Sequence, residues 1–254
     1  MVYVKIGIFT ILLLSLKRNV MKTGLIVFLI ILLNIPFLKA ADSLSAYQII
    51  QKYIEVIGGR ERLSKIEDRT TEMKGNVQKV EVEMTIYQKQ PNKFKQVIHA
   101  GDVEQTILFS NDSGYVKIND QVKDILGVEL AKLKNESTLN LLLNLDTNVI
   151  HLSYLGIDTI ENNPAYKILL KNSSLNWIHY YDISTGFKIM DVKPVTSAQR
   201  TYLQETYYSD FRTVEGIYFP FKIKQKLGQQ DMEFDVTGIK LNTGIDDSEF
   251  RFDY

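Results

Sequence analysis

Between Lys79 and Tyr87 the chain alternates, with Val80, Val82, Met84 and Ile86 apolar and Lys79, Glu81, Glu83 and Thr85 polar. Successive side chains of a strand point to opposite faces, so this spacing predicts a strand that is buried on one side and wet on the other, as in an antiparallel sheet. Gln90-Pro-Asn-Lys93 breaks the pattern, and further strands are expected at 94–100, 105–110 and 114–119, each bounded by Gly, Asn or Asp. The intervening segments are too short for crossover helices, so a meander follows. A second run is expected at 149–155, 166–171, 177–182, 187–192, 202–211, 217–226 and 232–241. Within it, Asp182-Ile-Ser-Thr-Gly186 reads as a hairpin loop with its glycine in the left-handed region. Seven late strands added to about four early ones exceed what a flat sheet carries, and sheets of that size tend to curl.

Helical signals flank and interrupt this β pattern. Ser45-Ala-Tyr-Gln48 matches a capping box, Leu44 can staple to Ile49, and Ile50, Tyr53, Ile54 and Ile57 recur on one helical face. Gly58-Gly59 stops that helix because glycine takes the C′ conformation without a Cβ clash, and a short turn over 60–66 follows. Between Ile125 and Leu145 the period is again helical: Leu126, Leu130 and Leu133 share a face, and Leu139, Leu142 and Leu143 come after a polar break at Asn135-Glu-Ser137. The expected fold class is therefore α+β and mainly β: a single curved antiparallel sheet with helices on its concave side.

The start of the chain bounds the compartment. Met21 to Ala41 reads as a cleavable export signal, with Lys22 as the charged region, an apolar stretch from Gly24 to Phe37, and Ala40-Ala41 at the cut. Residues 1–40 are assigned to the signal, Met21 is a candidate true start after an earlier apolar run from Ile6 to Leu16, and residues 41–254 form one domain. The alternative, an uncleaved anchor, asks a run shorter than a bilayer span to cross one. Without its five leader cations the chain carries 25 basic and 30 acidic residues, a balance that argues against nucleic acid as partner. The absence of cysteine excludes disulfides, thiolate metal sites and a lipid-modified cysteine. A large secreted domain without disulfides leans towards a bacterial periplasm.

Chemistry-bearing motifs are sparse. His99, His151 and His179 are isolated and fit no metal-ligand spacing, and no nucleophile elbow, P-loop or dinucleotide fingerprint occurs. Asp246-Asp247 with Glu249 could hold a cation but lacks the alternation of a calcium loop, so a solvated turn is expected. No metal, cofactor or catalytic residue is expected. The chain has fourteen tyrosines and twelve phenylalanines, and Trp177, Tyr180, Tyr181, Tyr202, Tyr207, Tyr208, Phe211, Tyr218, Phe219 and Phe221 crowd its second half. They suit the mouth of an apolar cavity, although tyrosine is also simply a good strand former.

Helix, Gly-Gly stop, meander, leucine-rich insert and second meander, in that order, resemble the periplasmic lipoprotein-carrier family, the Lol-type outer-membrane lipoprotein-sorting proteins. The likeness is greatest to the divergent members common in Bacteroidetes-like bacteria. It is carried by Ile50-Gln-Lys-Tyr53 with Ile57-Gly-Gly59 and Leu63, Gln90-Pro-Asn-Lys93, and Tyr181-Asp-Ile-Ser-Thr-Gly186. Tyr208-Ser-Asp-Phe-Arg212, Gly216-Ile-Tyr-Phe-Pro220 and Ile239-Lys-Leu-Asn242 before Ile245-Asp-Asp247 and Phe250 complete it. The resemblance implies a curved, unclosed antiparallel half-barrel with helices covering its concave face, and a hydrophobic cavity that shields acyl chains between membranes. Val80, Val82, Met84, Ile86, Phe94 and Trp177 are then expected to line it. Ile50, Tyr53, Ile54, Leu130, Leu133, Leu142 and Leu143 are expected to form its helical lid.

A carrier of lipid or lipoprotein acyl chains is thus the expected function, loaded or relieved by envelope membrane proteins. Each buried CH₂ contributes about 0.8 kcal/mol, so a tail can be held without a polar anchor. The competing expectations are a non-catalytic envelope interaction or stress-sensing protein of the same fold and, behind it, a lipid hydrolase using strand-end Asp and Tyr residues.

Overall fold

In the computed structural model, residues 44–77, 79–145, 149–197 and 200–251 are described; the expected export signal lies outside them. Helix α1 (Ala46–Val56) opens on the capping box read from the sequence: the Ser45 hydroxyl accepts from the Gln48 amide at 3.2 Å, and the Gln48 side chain accepts from the Ser45 amide at 2.8 Å. Such a cap stabilises the first turn by about 1 kcal/mol. The helix ends where expected, the Gly59 amide donating to the Ile54 carbonyl at 2.9 Å, with φ positive at both Gly58 and Gly59. A short helix α2 (Arg60–Ser64) follows.

Among the described residues, thirteen strands form one antiparallel sheet. They are β1 (Asp68–Val77), β2 (Val80–Lys89), β3 (Lys93–Ala100), β4 (Val103–Ser110), β5 (Ser113–Ile118), β6 (Gln121–Ile125), β7 (His151–Ile160), β8 (Asn163–Lys171), β9 (Asn176–Asp182), β10 (Lys188–Ser197), β11 (Arg200–Val214), β12 (Ile217–Leu227) and β13 (Gln230–Leu241). Their order, β6-β5-β4-β3-β2-β1-β13-β12-β11-β10-β9-β8-β7, makes each meander one arm, and the β1–β13 pairing joins the arms. The sheet has two ends and is not closed into a barrel. Two strands go beyond the sequence expectation, β1 and β6. Strand β1 is almost wholly polar, and all but the last residue of β6 is exposed, so neither carries the apolar alternation that marks a strand.

The curl of the sheet follows from what α1 touches. Ile50 and Ile54 share one buried cluster with Ile168 and Leu170 of β8, Tyr181 of β9, Phe219 of β12 and Leu241 of β13. Helix α1 also lies against β7, and its C-cap carbonyl at Ile57 accepts from the Tyr218 amide of β12 at 2.8 Å; β7 and β12 stand five places apart, about 24 Å in a flat sheet, whereas a helix is only about 10 Å across. One helix meets both only if the sheet wraps around it. Full burial of Ile49, Ile50 and Ile54 contributes roughly 1.5–3 kcal/mol each, which is what holds the wrap.

The leucine-rich segment divides into helix α3 (Gly127–Ser137) and a 3-10 turn (Leu141–Asn144). Leu133 packs against Phe94 and Phe109 on one arm. Glu136 reaches the other arm through an ion pair with Lys193 at 2.6 Å, while its carbonyl accepts from Gln88 on β2. Helix α3 therefore bridges the concavity. The helix is shorter than the sequence pattern suggests, and Leu126, at its N-cap, is 71% exposed instead of joining Leu130 and Leu133.

The acidic group near the end forms a paired surface turn. Asp247 meets Lys89 and Lys93 at 2.8 and 2.7 Å, Glu249 meets Lys95 at 2.9 Å, and Asp246 caps the Ser248 amide. Hydrogen bonds from both lysines hold the Asp247 carboxyl down at about 2.

Candidate binding cavity

Strand register decides what faces the helices. Antiparallel partners share a face, so Val82, Met84, Ile86 and Gln88 of β2 point the same way as Gly75, Met73, Thr71 and Arg69 of β1. The same reading carries across β10 and β9, where Lys193 faces Trp177 and Asp191 faces His179. The inner wall is consequently apolar towards its ends and polar across its middle.

Three neighbouring cavities remain between this wall and the helices. The first, about 320 Å³, lies beneath the 3-10 turn and is lined by Tyr53, Ile54, Leu142, Leu143, Ile217 and Phe219 among others. The second, about 400 Å³, borders Ile86, Phe94, Thr206 and Tyr208. The third, about 470 Å³, runs past Ile107, Leu133 and Leu175. Trp177 lines all three, and Arg69, Leu141, Lys188 and Tyr208 line both the first and second. These volumes fall in the range of small-molecule sites, roughly 300–1,000 Å³.

The residues expected to line the cavity separate into groups. Ile86, Phe94 and Trp177 border the second cavity. Val82 and Met84 are on the inner face but belong to a cluster with Met73, Phe234 and Val236, outside these three cavities. Val80 departs from the expectation: as the first residue of β2 it is 44% exposed, because the strand begins beyond the reach of the helices. Of the expected lid, Tyr53, Ile54, Leu142 and Leu143 line the first cavity and Leu133 the third. Ile50 is wholly buried beneath α1, and Leu130 packs on the Phe94–Phe109 cluster. The 3-10 turn is pinned by polar ties, the Arg60 guanidinium donating to the Leu143 carbonyl and the Asn140 amide to the Leu63 carbonyl, both at 2.7 Å.

Sequence reasoning missed the polar middle of the wall. Lys188 and Asp191 are three apart, which puts side chains on opposite faces of a regular strand. Here a register shift between Lys188 and Met190 adds a residue, and both face inward with a 2.8 Å ion pair. Burial works against the Lys188 charge, yet Asp191 and, after it, Tyr208 and Tyr53 outweigh it and hold its pKa well above the ordinary lysine value; the ammonium lies 4.6 Å from the Tyr208 ring centroid. Burial likewise opposes the Asp191 carboxylate, but Lys188 and the Tyr208 hydroxyl, donating at 2.6 Å, keep it below the usual range. His179, stacked near Trp177, shares a 2.9 Å hydrogen bond with the Tyr181 hydroxyl. Burial, reinforced by Lys188, drives its pKa down to about 3, so the ring is neutral at any ordinary pH. No sequence motif could flag this set, because its members come together only through a bulge and cross-strand pairing.

Among the described residues no three metal-ligating side chains converge, and no helix is long and apolar enough to cross a membrane. No protein-family model matches the sequence, and no curated protein matches it. Solved structures do match. A LolA-superfamily protein from Nitrosomonas europaea aligns with a TM-score of 0.55 at 14% identity, covering 83% of this chain and 99% of that one. The fold is Lol-type. A DUF1329-family protein from Desulfovibrio piger aligns at 0.54 and 13% identity over 81% of this chain and 95% of its own. A candidate outer membrane lipoprotein-sorting protein domain from Vibrio parahaemolyticus aligns at 0.51 and 8% identity over 80% and 95%. At these identities the likeness establishes the Lol-type fold, and what occupies the concavity must be argued from this chain's own residues.

Proposed function

We propose that this protein is a periplasmic carrier or binding protein that takes the acyl chains of lipids or lipoproteins into the concavity of its half-barrel. The observation that carries the reading is the unfilled space beneath Leu142 and Leu143, walled by Ile54, Ile217 and Phe219. Protein interiors are otherwise close-packed, so a space of this size under a helical cover, continuous in its lining with a second one, favours a guest. About ten buried methylenes would supply roughly 8 kcal/mol before the cost of ordering the tail. The Lol-type fold supports the same reading by analogy. In this reading residues 1–40 are the export signal, α1 and the 3-10 turn form the cover, and envelope proteins load and receive the cargo.

The test is mass spectrometry of the protein purified from its native envelope, followed by titration of the delipidated protein with a fluorescent fatty acid. Co-purifying acylated molecules and saturable binding are expected. Recovery of protein partners alone, with no saturable binding, favours the interaction or stress-sensing alternative.

A further inference from the structure

Strand β1 carries a cation where an oily wall would carry a leucine. Arg69 faces inward between Gln88 of β2 and Leu241 of β13. Its Nη2 donates to the Gln88 side-chain oxygen, and its guanidinium lies 5.6 Å from the Phe219 ring centroid. Its Nε is buried without a hydrogen-bond partner among the described residues. The other cations that line the three cavities each have a carboxylate of their own: Lys188 has Asp191 at 2.8 Å, Lys193 has Glu136 at 2.6 Å and Lys132 has Glu129 at 2.7 Å. Arg69 has none among the described residues.

A part-buried charge without a counter-ion is costly to keep, and guanidinium stays charged while offering a planar fork of donors to an oxyanion. The position adds to the chemistry. Arg69 stands where the first cavity, with its apolar cover of Ile54, Leu142 and Leu143, adjoins the second, with its polar Thr206, Gln96 and Tyr208. The Gln88 amide that meets Arg69 is itself tied to the Glu136 carbonyl at 3.3 Å, so its oxygen is turned towards the guanidinium. Resting on the carrier reading above, and departing from the expectation that a tail needs no polar anchor, we infer that the cavity takes an amphiphile with an oxyanion head. The head pairs with Arg69 and the tail lies under the 3-10 turn. The shared chemistry is a carboxylate or a phosphate on a single alkyl chain.

The experiment uses the delipidated full chain with palmitate, hexadecyl phosphate and uncharged hexadecanol, titrated calorimetrically below their micelle-forming concentrations. For the wild type, at least one of the two anions is expected to bind about tenfold or more tightly than hexadecanol, in keeping with a charge-assisted hydrogen bond. The preferred anion assigns the head as carboxylate or phosphate. In Arg69→Met this preference should vanish while hexadecanol affinity stays within about twofold. Arg69→Lys, which keeps the charge but not the fork, should retain part of it. Thermal unfolding of the unliganded Arg69→Met protein should occur at or above the wild-type temperature, since an apolar side chain replaces an unpaired charge. Equal binding of all three amphiphiles by the wild type, or equal loss of all three in Arg69→Met, overturns the anchor and leaves the carrier reading standing. Failure of every amphiphile to bind the wild type overturns both.

Discussion

His179 makes the polar middle of the wall measurable through stability. In the folded chain its pKa is about 3 against an ordinary 6.5, first because it is buried and then because Lys188 is near, with Asp191 opposing in part. Below pH 6.5 the unfolded chain takes up a proton that the folded chain refuses, so the contribution to stability is full above 6.5 and shrinks as pH falls towards 3. Linkage gives about 1.4 kcal/mol per pH unit inside that window, hence roughly 2 kcal/mol between pH 7 and pH 5. Replacing His179 by Gln keeps a polar partner for the Tyr181 hydroxyl and removes the titration. Urea unfolding of the delipidated wild type and His179→Gln at pH 7 and pH 5 isolates the effect, since every other titrating group is common to both. The variant should start less stable or equal at pH 7 and gain about 2 kcal/mol relative to wild type at pH 5. A difference between the two proteins that stays constant across this range would mean that His179 protonates in the fold as readily as in the open chain, and the buried polar wall would be wrongly drawn.

Leu142→Ser removes apolar lining from the first cavity at a half-buried position; acyl-chain affinity should fall about tenfold with the urea midpoint little changed, and unaltered affinity would remove the 3-10 turn from the cover. Asp68→Ala strips a 2% exposed carboxylate that accepts from the Thr243 and Gly244 amides at 2.8 Å each and the Ile245 amide at 3.3 Å. Buried donors left without acceptors should cost about 3 kcal/mol in chemical denaturation. Gly75→Ala places a Cβ against the Glu233 carbonyl oxygen and 2.6 Å from Phe234 Cδ1; the shift forced on the β1–β13 pairing should destabilise the sheet by about 2 kcal/mol, read as a lower thermal midpoint.

Much of this architecture is legible in the sequence because it is encoded locally. The capping box at Ser45, the stop at Gly58-Gly59 and the alternation from Val82 to Ile86 each rest on neighbours within a few residues, and each forms as the spacing demands. The hairpin loop after Asp182 does too: its carboxylate accepts from the Thr185 amide at 2.6 Å, and Gly186 holds φ at +78°. Strand β1 was not legible. Lodged between β2 and β13, it needs no apolar alternation of its own, since its neighbours bring the pairing and most of the buried surface.

The sequence by itself thus determines the antiparallel meanders, the first helix and the leucine-rich segment that caps the concavity, because periodicity and capping act over one or two turns of chain. Only the tertiary structure decides that Val80 lies outside the cavity, that a bulge turns Lys188 and Asp191 inward together, and that Arg69, between two cavities, has no counter-ion among the described residues. Those outcomes depend on register between strands as distant in the chain as those of Arg69 and Leu241 and on which side chains the curled sheet encloses, and no local pattern records either.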